Sequence, residues 1–108
     1  MARVNLELYR IFLAVAGAGS FSSAARSLYI SQPAVSQAIR QLEGQLGASL
    51  FVRRARGVEL SAEGKVLYHH AQAAIALIDA GEEKLGRMER LQAGDLRIGA
   101  GDTITRHV

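Results

Sequence analysis

In the stretch "SQPAVSQAIRQLEGQLG" (31–47), Ser36, Gln37 and Arg40 share what the spacing predicts to be one side of a helix. A hydroxyl, a carboxamide and a guanidinium arranged this way offer donors and acceptors of different geometry, the chemistry of hydrogen-bond recognition. Further along, Arg53, Arg54 and Arg56 fall within four residues with no acid among them. Eleven of the thirteen basic residues are Arg, whose planar fork suits bidentate contacts to phosphates and base edges. The net charge of +3 is also localised: residues 1–64 hold seven Arg against four Glu, and residues 65–108 hold six basic against six acidic residues. A polyanion is the first partner this pattern predicts.

Other chemistries are thinly supplied. The chain has no cysteine, which removes disulfides, thiolate nucleophiles and cysteine-held zinc. His69 and His70 are adjacent, so on a helix they point about 100° apart and cannot share a metal as an i, i+4 pair does. They read as partly exposed helix residues. "GAG" at 99–101 lacks the third glycine and the βαβ setting of a nucleotide fingerprint. The serines pair with no evident base or acid. No catalytic residue, metal or cofactor is expected. Apolar runs such as "AAIALI" (73–78) are too short to span a bilayer and no signal-peptide layout opens the chain, so the expectation is a cytoplasmic protein without membrane contact.

The elements that must position these groups are legible in turn. "NLELYRIFLAVAGAG" predicts a helix with Asn5 as N-cap, Glu7 in the first turn, Leu8, Phe12, Val15 and Ala16 on one face, and Gly17 and Gly19 at its end. Ser22 caps a short second helix, "SAARSL", ending near Leu28. Ser31 caps a third, with Pro33 in its first turn and Ile30 and Val35 at the positions of a hydrophobic staple. Val35, Ala38, Ile39, Leu42 and Leu46 form its apolar stripe, and Gly47 supplies the left-handed residue that stops it. Opposite lie Pro33, Ser36, Gln37, Arg40 and Gly44, a small and uncrowded face. "SLFV" and "VEL" flank "RRARG", so Leu50–Leu60 reads as a hairpin with an arginine-rich tip.

Two helices joined by a short turn, with a preceding helix and a following hairpin, describe a mainly α fold: a winged helix-turn-helix of three helices plus a β-hairpin wing. A major groove admits one helix, whose N-terminal residues meet base edges. Ala34 and Ser36 are small enough for close approach, and Gln37 and Arg40 can read donors and acceptors. The Ser22 and Ser31 hydroxyls, near helix N-termini, suit phosphate oxygens. Arg53, Arg54 and Arg56 would meet the flanking backbone or minor groove. The competing reading is a dimeric winged-helix module that docks a protein without reading bases.

From Ser61 to about Leu91 one long helical pattern follows. Leu67, Ala71, Ala74, Ile78, Gly81, Leu85 and Met88 recur at alternating spacings of four and three, a 3.5-residue period that predicts a helix-to-helix dimer seam. Beyond it, Leu96, Ile98 and Ala100 alternate as in a strand, and "GDT" reads as a turn into a helix. The expected organisation is a DNA-binding domain over 1–61, a linker and dimerisation helix over 62–91, and the first strand of a truncated second domain over 92–108, which the family resemblance given next implies to be effector-binding.

The stretch "GSFSSAARSLYISQPAVSQAIRQLEGQLGASLFVRRARGVELSAEG" (19–64) closely resembles the N-terminal domain of LysR-type transcriptional regulators. Their pattern places small residues and "AA" in the second helix, "SQPAVS" at the start of the third, "QLE" and "LG" at its close, and "LF.R" at the start of the wing. The resemblance runs from residue 4 to about residue 102. It implies a bacterial DNA-binding protein that acts at interrupted palindromes. It also implies a homodimer formed through the linker helix, and a tetramer where an effector domain binding a small co-inducer is present. DNA contacts implied by the family are Ser22, Ser31, Gln32, Pro33, Ser36, Gln37, Arg40 and Arg53. Thr103 is implied as a co-inducer contact in a full-length setting only. Gly44 departs from the larger residue usual at its place, at a cost of about 1 kcal/mol of helix stability relative to Ala.

Overall fold

The computed structural model describes the backbone of residues 5–98 and the side chains of residues 5–90. Four helices and one hairpin follow in the order α1 (Leu6–Ala18), α2 (Phe21–Leu28), α3 (Gln32–Leu46), β1 (Phe51–Arg54), β2 (Gly57–Leu60) and α4 (Ala62–Ile98). The chain divides into two compact units, one ending at Ile75 and one beginning at Ala76.

In the first unit α1, α2 and α3 pack on one another. Leu8, Ile11, Phe12 and Val15 of α1 recur at helical spacing and are buried against Ala24 and Ala25 of α2 and Val35, Ala38, Ile39 and Leu42 of α3. Ala16, expected on the α1 core face, is only half-buried, and Ile11 takes its place. Asn5 Oδ1 caps α1 by accepting from the Glu7 N–H at 3.0 Å. The helix runs through Gly17, and only Gly19 takes the left-handed conformation that stops it, with φ of 76°.

The second helix starts two residues earlier than the spacing suggested. Ser20, not Ser22, is its N-cap: Ser20 has the extended backbone that a cap requires, and its Oγ accepts from the Ser23 N–H at 3.1 Å. Phe21 can then start the helix and place its ring edge-on to Phe51, 6.1 Å between centroids. For α3 the expected cap holds, since Ser31 Oγ accepts from the Ala34 N–H at 3.2 Å. Ile30 is exposed, so helix entry rests on that cap and on Pro33 rather than on a buried staple. Leu46 is also corrected: it is 43% exposed, and Leu50, 1% exposed, supplies the buried leucine instead. The Gly47 turn, φ 68°, carries the chain from the end of α3 to that position.

The hairpin is antiparallel, with Phe51 opposite Leu60, Val52 opposite Glu59, Arg53 opposite Val58 and Arg54 opposite Gly57. Phe51, Val58 and Leu60 pack against the helical core. The Val58 N–H also donates to the Gly19 carbonyl at 2.9 Å, which pins the wing to the end of α1. Gly57 sits at φ 105°, and a Cβ there would collide with that same carbonyl.

Ser61 joins wing to α4 by both faces of its hydroxyl. The Oγ–H donates to the Ser49 carbonyl at 2.6 Å, while Oγ accepts from the Gly64 N–H at 2.9 Å as the helix cap. The helix that follows continues to Ile98, beyond the expected end near Leu91. The strand expected at Leu96 and Ile98 is therefore corrected to helix. A strand needs a hydrogen-bonded neighbour, and the strands among the described residues, β1 and β2, pair with each other, whereas a helix satisfies its backbone locally. Ala100, the "GDT" turn and Thr103 lie outside the described residues. No described helix is long and apolar enough to cross a membrane.

Candidate nucleic-acid interface

The buried stripe of α3 fixes what its other side presents. With Val35, Ala38, Ile39 and Leu42 facing the core, Gln32, Pro33, Ala34, Gln37 and Arg40 are exposed and Ser36 is half-buried beside them. Arg40 makes no ion pair among the described residues, so its guanidinium keeps all its donors for an incoming ligand. The face carries no acid among these residues. Ser31 Oγ uses an acceptor lone pair on the Ala34 N–H, which leaves its O–H to donate outward.

Ser22 lies half-buried in the first turn of α2 rather than at its cap, and Ser20 takes the capping role. "GS" preceding the apolar Phe21 was the signal for that assignment: a glycine stop followed directly by a capping serine. Two further residues, given no binding role from the sequence, are exposed on α2 and in the turn that follows it. Arg26 is exposed on α2 and donates from Nη2 to Ser23 Oγ at 3.2 Å. Tyr29, in the turn between α2 and α3, is 93% exposed and is the one described non-glycine residue at positive φ, 60°.

The three wing arginines are exposed but not equivalent. Alternation along β1 sends Arg53 to the face shared with Phe51 and Arg54 to the face shared with Val52. Arg54 Nε donates toward Glu59 Oε1 at 3.2 Å, while Arg53 and Arg56 make no ion pair among the described residues. Arg56 occupies the two-residue tip between the strands.

The expected seam on α4 is split by the structure. In the first unit Leu67 is half-buried and packs on the core, Ala71 is buried, and Ala74 is exposed. In the second, Ile78 is half-buried, while Gly81, Leu85 and Met88 are exposed. Leu67 and Ala71 thus already cover the chain's own domain. Their stripe continues to Ile75, 6% exposed, which the seam omitted. Val66 and Leu77, also omitted, are large exposed apolar side chains. His69 and His70 are both exposed, as expected, and among the described residues no group of three or more His, Cys, Asp or Glu could hold a metal.

A capped helix with a small polar outer face, braced by a short helix and followed by a basic hairpin, defines a winged helix-turn-helix protein. The profile of bacterial regulatory helix-turn-helix proteins of the lysR family matches residues 6–65, and the chain belongs to that family. Over 100 residues it is 48% identical to a Cyanidioschyzon merolae protein named "Probable RuBisCO transcriptional regulator", covering 93% of this chain and 33% of that one. Over 95 residues it is 42% identical to the HTH-type transcriptional regulator TfdT of Cupriavidus pinatubonensis, covering 88% and 42%. The chain therefore spans about a third to two-fifths of the length of these relatives. Among solved structures, the BenM DNA-binding domain on its benA site 1 DNA superposes with a TM-score of 0.73 at 34% identity, covering 79% of this chain and 99% of that one. Vibrio fischeri DarR in complex with DNA superposes with a TM-score of 0.73 at 32% identity, covering 83% and 31%.

Proposed function

We propose that this chain binds double-stranded DNA sequence-specifically and is the DNA-binding portion of a LysR-type transcription regulator. The observation that carries the reading is the exposed α3 face, where Gln37 and Arg40, the latter without an ion pair among the described residues, stand on a helix whose entry is fixed by Ser31 and whose back is locked into the core. In this reading α3 lies in the major groove, with Gln32, Pro33, Ala34 and Ser36 lining the approach and Gln37 and Arg40 hydrogen-bonding base edges. Ser22 and Ser31 contact phosphates, and Arg53, Arg54 and Arg56 contact the flanking backbone or minor groove. Residues 1–61 form the reading domain. The α4 helix then brings two copies together through its exposed apolar residues, so the site is an interrupted palindrome. An effector-binding domain following α4 would add tetramer formation and co-inducer binding, with Thr103 a contact for that ligand. No membrane role is invoked.

Selection of bound duplexes from a random-sequence pool tests this, run beside Arg40→Ala at moderate salt. Enrichment of an interrupted palindrome that is lost or altered in the variant is the expected result. Salt-sensitive binding with no enrichment would reject base reading and leave only a grip on phosphates.

A further inference from the structure

The wing carries a competitor for one of its own arginines. Val52 stands opposite Glu59 and Arg54 opposite Gly57, so Arg54 and Glu59 are diagonal neighbours on one face of the hairpin. Arg54 Nε and Glu59 Oε1 are 3.2 Å apart, with the side chains 55% and 63% exposed. A pair so open to water is weakly held. Carboxylate and phosphate oxygens are equivalent acceptors for a guanidinium, so a DNA backbone arriving at the wing competes with Glu59 for the same N–H groups.

We propose that Glu59 sets how strongly the wing holds DNA phosphates, by occupying Arg54 with a carboxylate that a phosphate must displace. The inference rests on the DNA-binding reading above. While the pair is closed Arg54 is engaged, so the wing offers Arg53 and Arg56 uncommitted among the described residues rather than all three. The pair does not touch α3, whose reading face is built from other residues. Glu59 therefore lowers the grip on all duplexes by a common factor and reduces the number of counterions released on binding.

The test is a titration of the full chain with a fluorescent duplex of random sequence over a salt series, for the parent, Glu59→Gln, Arg54→Ala and the double variant. Glu59→Gln should bind about 1.5- to fivefold more tightly at low salt, the factor expected when an exposed pair of this kind is released. Its plot of log affinity against log salt should steepen by up to about 0.9, the share of one phosphate contact that Arg54 no longer divides with Glu59. Both gains should vanish when Arg54 is Ala. Unchanged affinity and slope in Glu59→Gln would overturn the proposal, as would a gain that survives without Arg54, since Glu59 would then act only as a repulsive charge. Failure of all four proteins to bind any duplex at low salt would instead remove the DNA-binding reading, and this inference with it.

Discussion

Glu43 Oε2, in the last turn of α3, accepts a hydrogen bond from the Leu50 N–H at 2.8 Å, the residue that opens the wing. The same Glu43 accepts through its backbone carbonyl from the N–H groups of Gly47 and Ala48, at 2.8 and 3.2 Å. One residue thus closes three N–H groups across the turn that separates the reading helix from the wing, the last two in the pattern that ends a helix on a left-handed residue. The Leu50 side chain is buried, so its N–H has little access to water as a substitute partner.

Glu43→Ala should therefore cost about 1–3 kcal/mol, the penalty for stranding a donor, whereas Glu43→Gln, which keeps a carbonyl acceptor of similar reach, should cost less. Urea denaturation of both variants checks this. Equal losses would mean that the side chain acts by charge or packing rather than as an acceptor for Leu50.

Gly64 and Gly44 make a matched pair, both inside helices and opposite in expectation. A Cβ at Gly64 would run into the Leu50 carbonyl oxygen and close on the Leu60 side chain, while a Cβ at Gly44 meets nothing within 4 Å. Gly64→Ala should destabilise by about 1–3 kcal/mol through overpacking. Gly44→Ala should stabilise by about 0.5–1 kcal/mol, because alanine loses less backbone freedom on folding. Thermal midpoints moving in opposite directions are the expected result, and a stable Gly64→Ala would show that the wing base can shift aside.

Much of this arrangement was legible because the deciding interactions are local. Ser31, Pro33 and Gly47 announce the bounds of α3 through backbone groups a few residues away, and the spacing of Val35, Ala38, Ile39 and Leu42 then fixes the outward face of Gln37 and Arg40. Where the reading failed, it passed over a local signal, as at Gly19 and Ser20, or the deciding partner was distant in sequence or absent from it. Ser22 lost the cap to Ser20, which allows Phe21 to meet Phe51 thirty residues on. Leu67 and Ala71 have helical spacing compatible with either a partner helix or their own domain, and periodicity alone does not choose between them. Arg54 looked like one of three equal cations until strand register placed Glu59 beside it.

The backbone at Tyr29 offers a separate test. A left-handed conformation costs a residue with a Cβ roughly 1–2 kcal/mol, and asparagine tolerates it better than tyrosine. The Tyr29 side chain is almost fully exposed, so it gives up no packing when removed. Tyr29→Asn should raise stability by about 0.5–1 kcal/mol, measured by denaturant midpoint at unchanged slope. A loss of stability would mean that the ring makes a contact in solution that offsets the strain.

The two stripes of α4 predict two kinds of failure from the same substitution. Ile75 is buried by its own chain, so Ile75→Glu forces a charge into an apolar setting and should unfold or severely destabilise the first unit, by about 3 kcal/mol or more. Leu85 is 62% exposed in the single chain, so Leu85→Glu should leave the melting of that unit within about 0.5 kcal/mol of the parent. If exposed apolar residues of α4 form the contact between copies, Leu85→Glu should instead shift sedimentation from dimer to monomer, because the carboxylate would be desolvated without a partner. Binding to an interrupted palindrome should fall with it, while binding to a single half-site should not. A Leu85→Glu protein that remains dimeric would place the contact between copies on other residues, with Val66 and Leu77 the next exposed apolar positions on the helix to substitute.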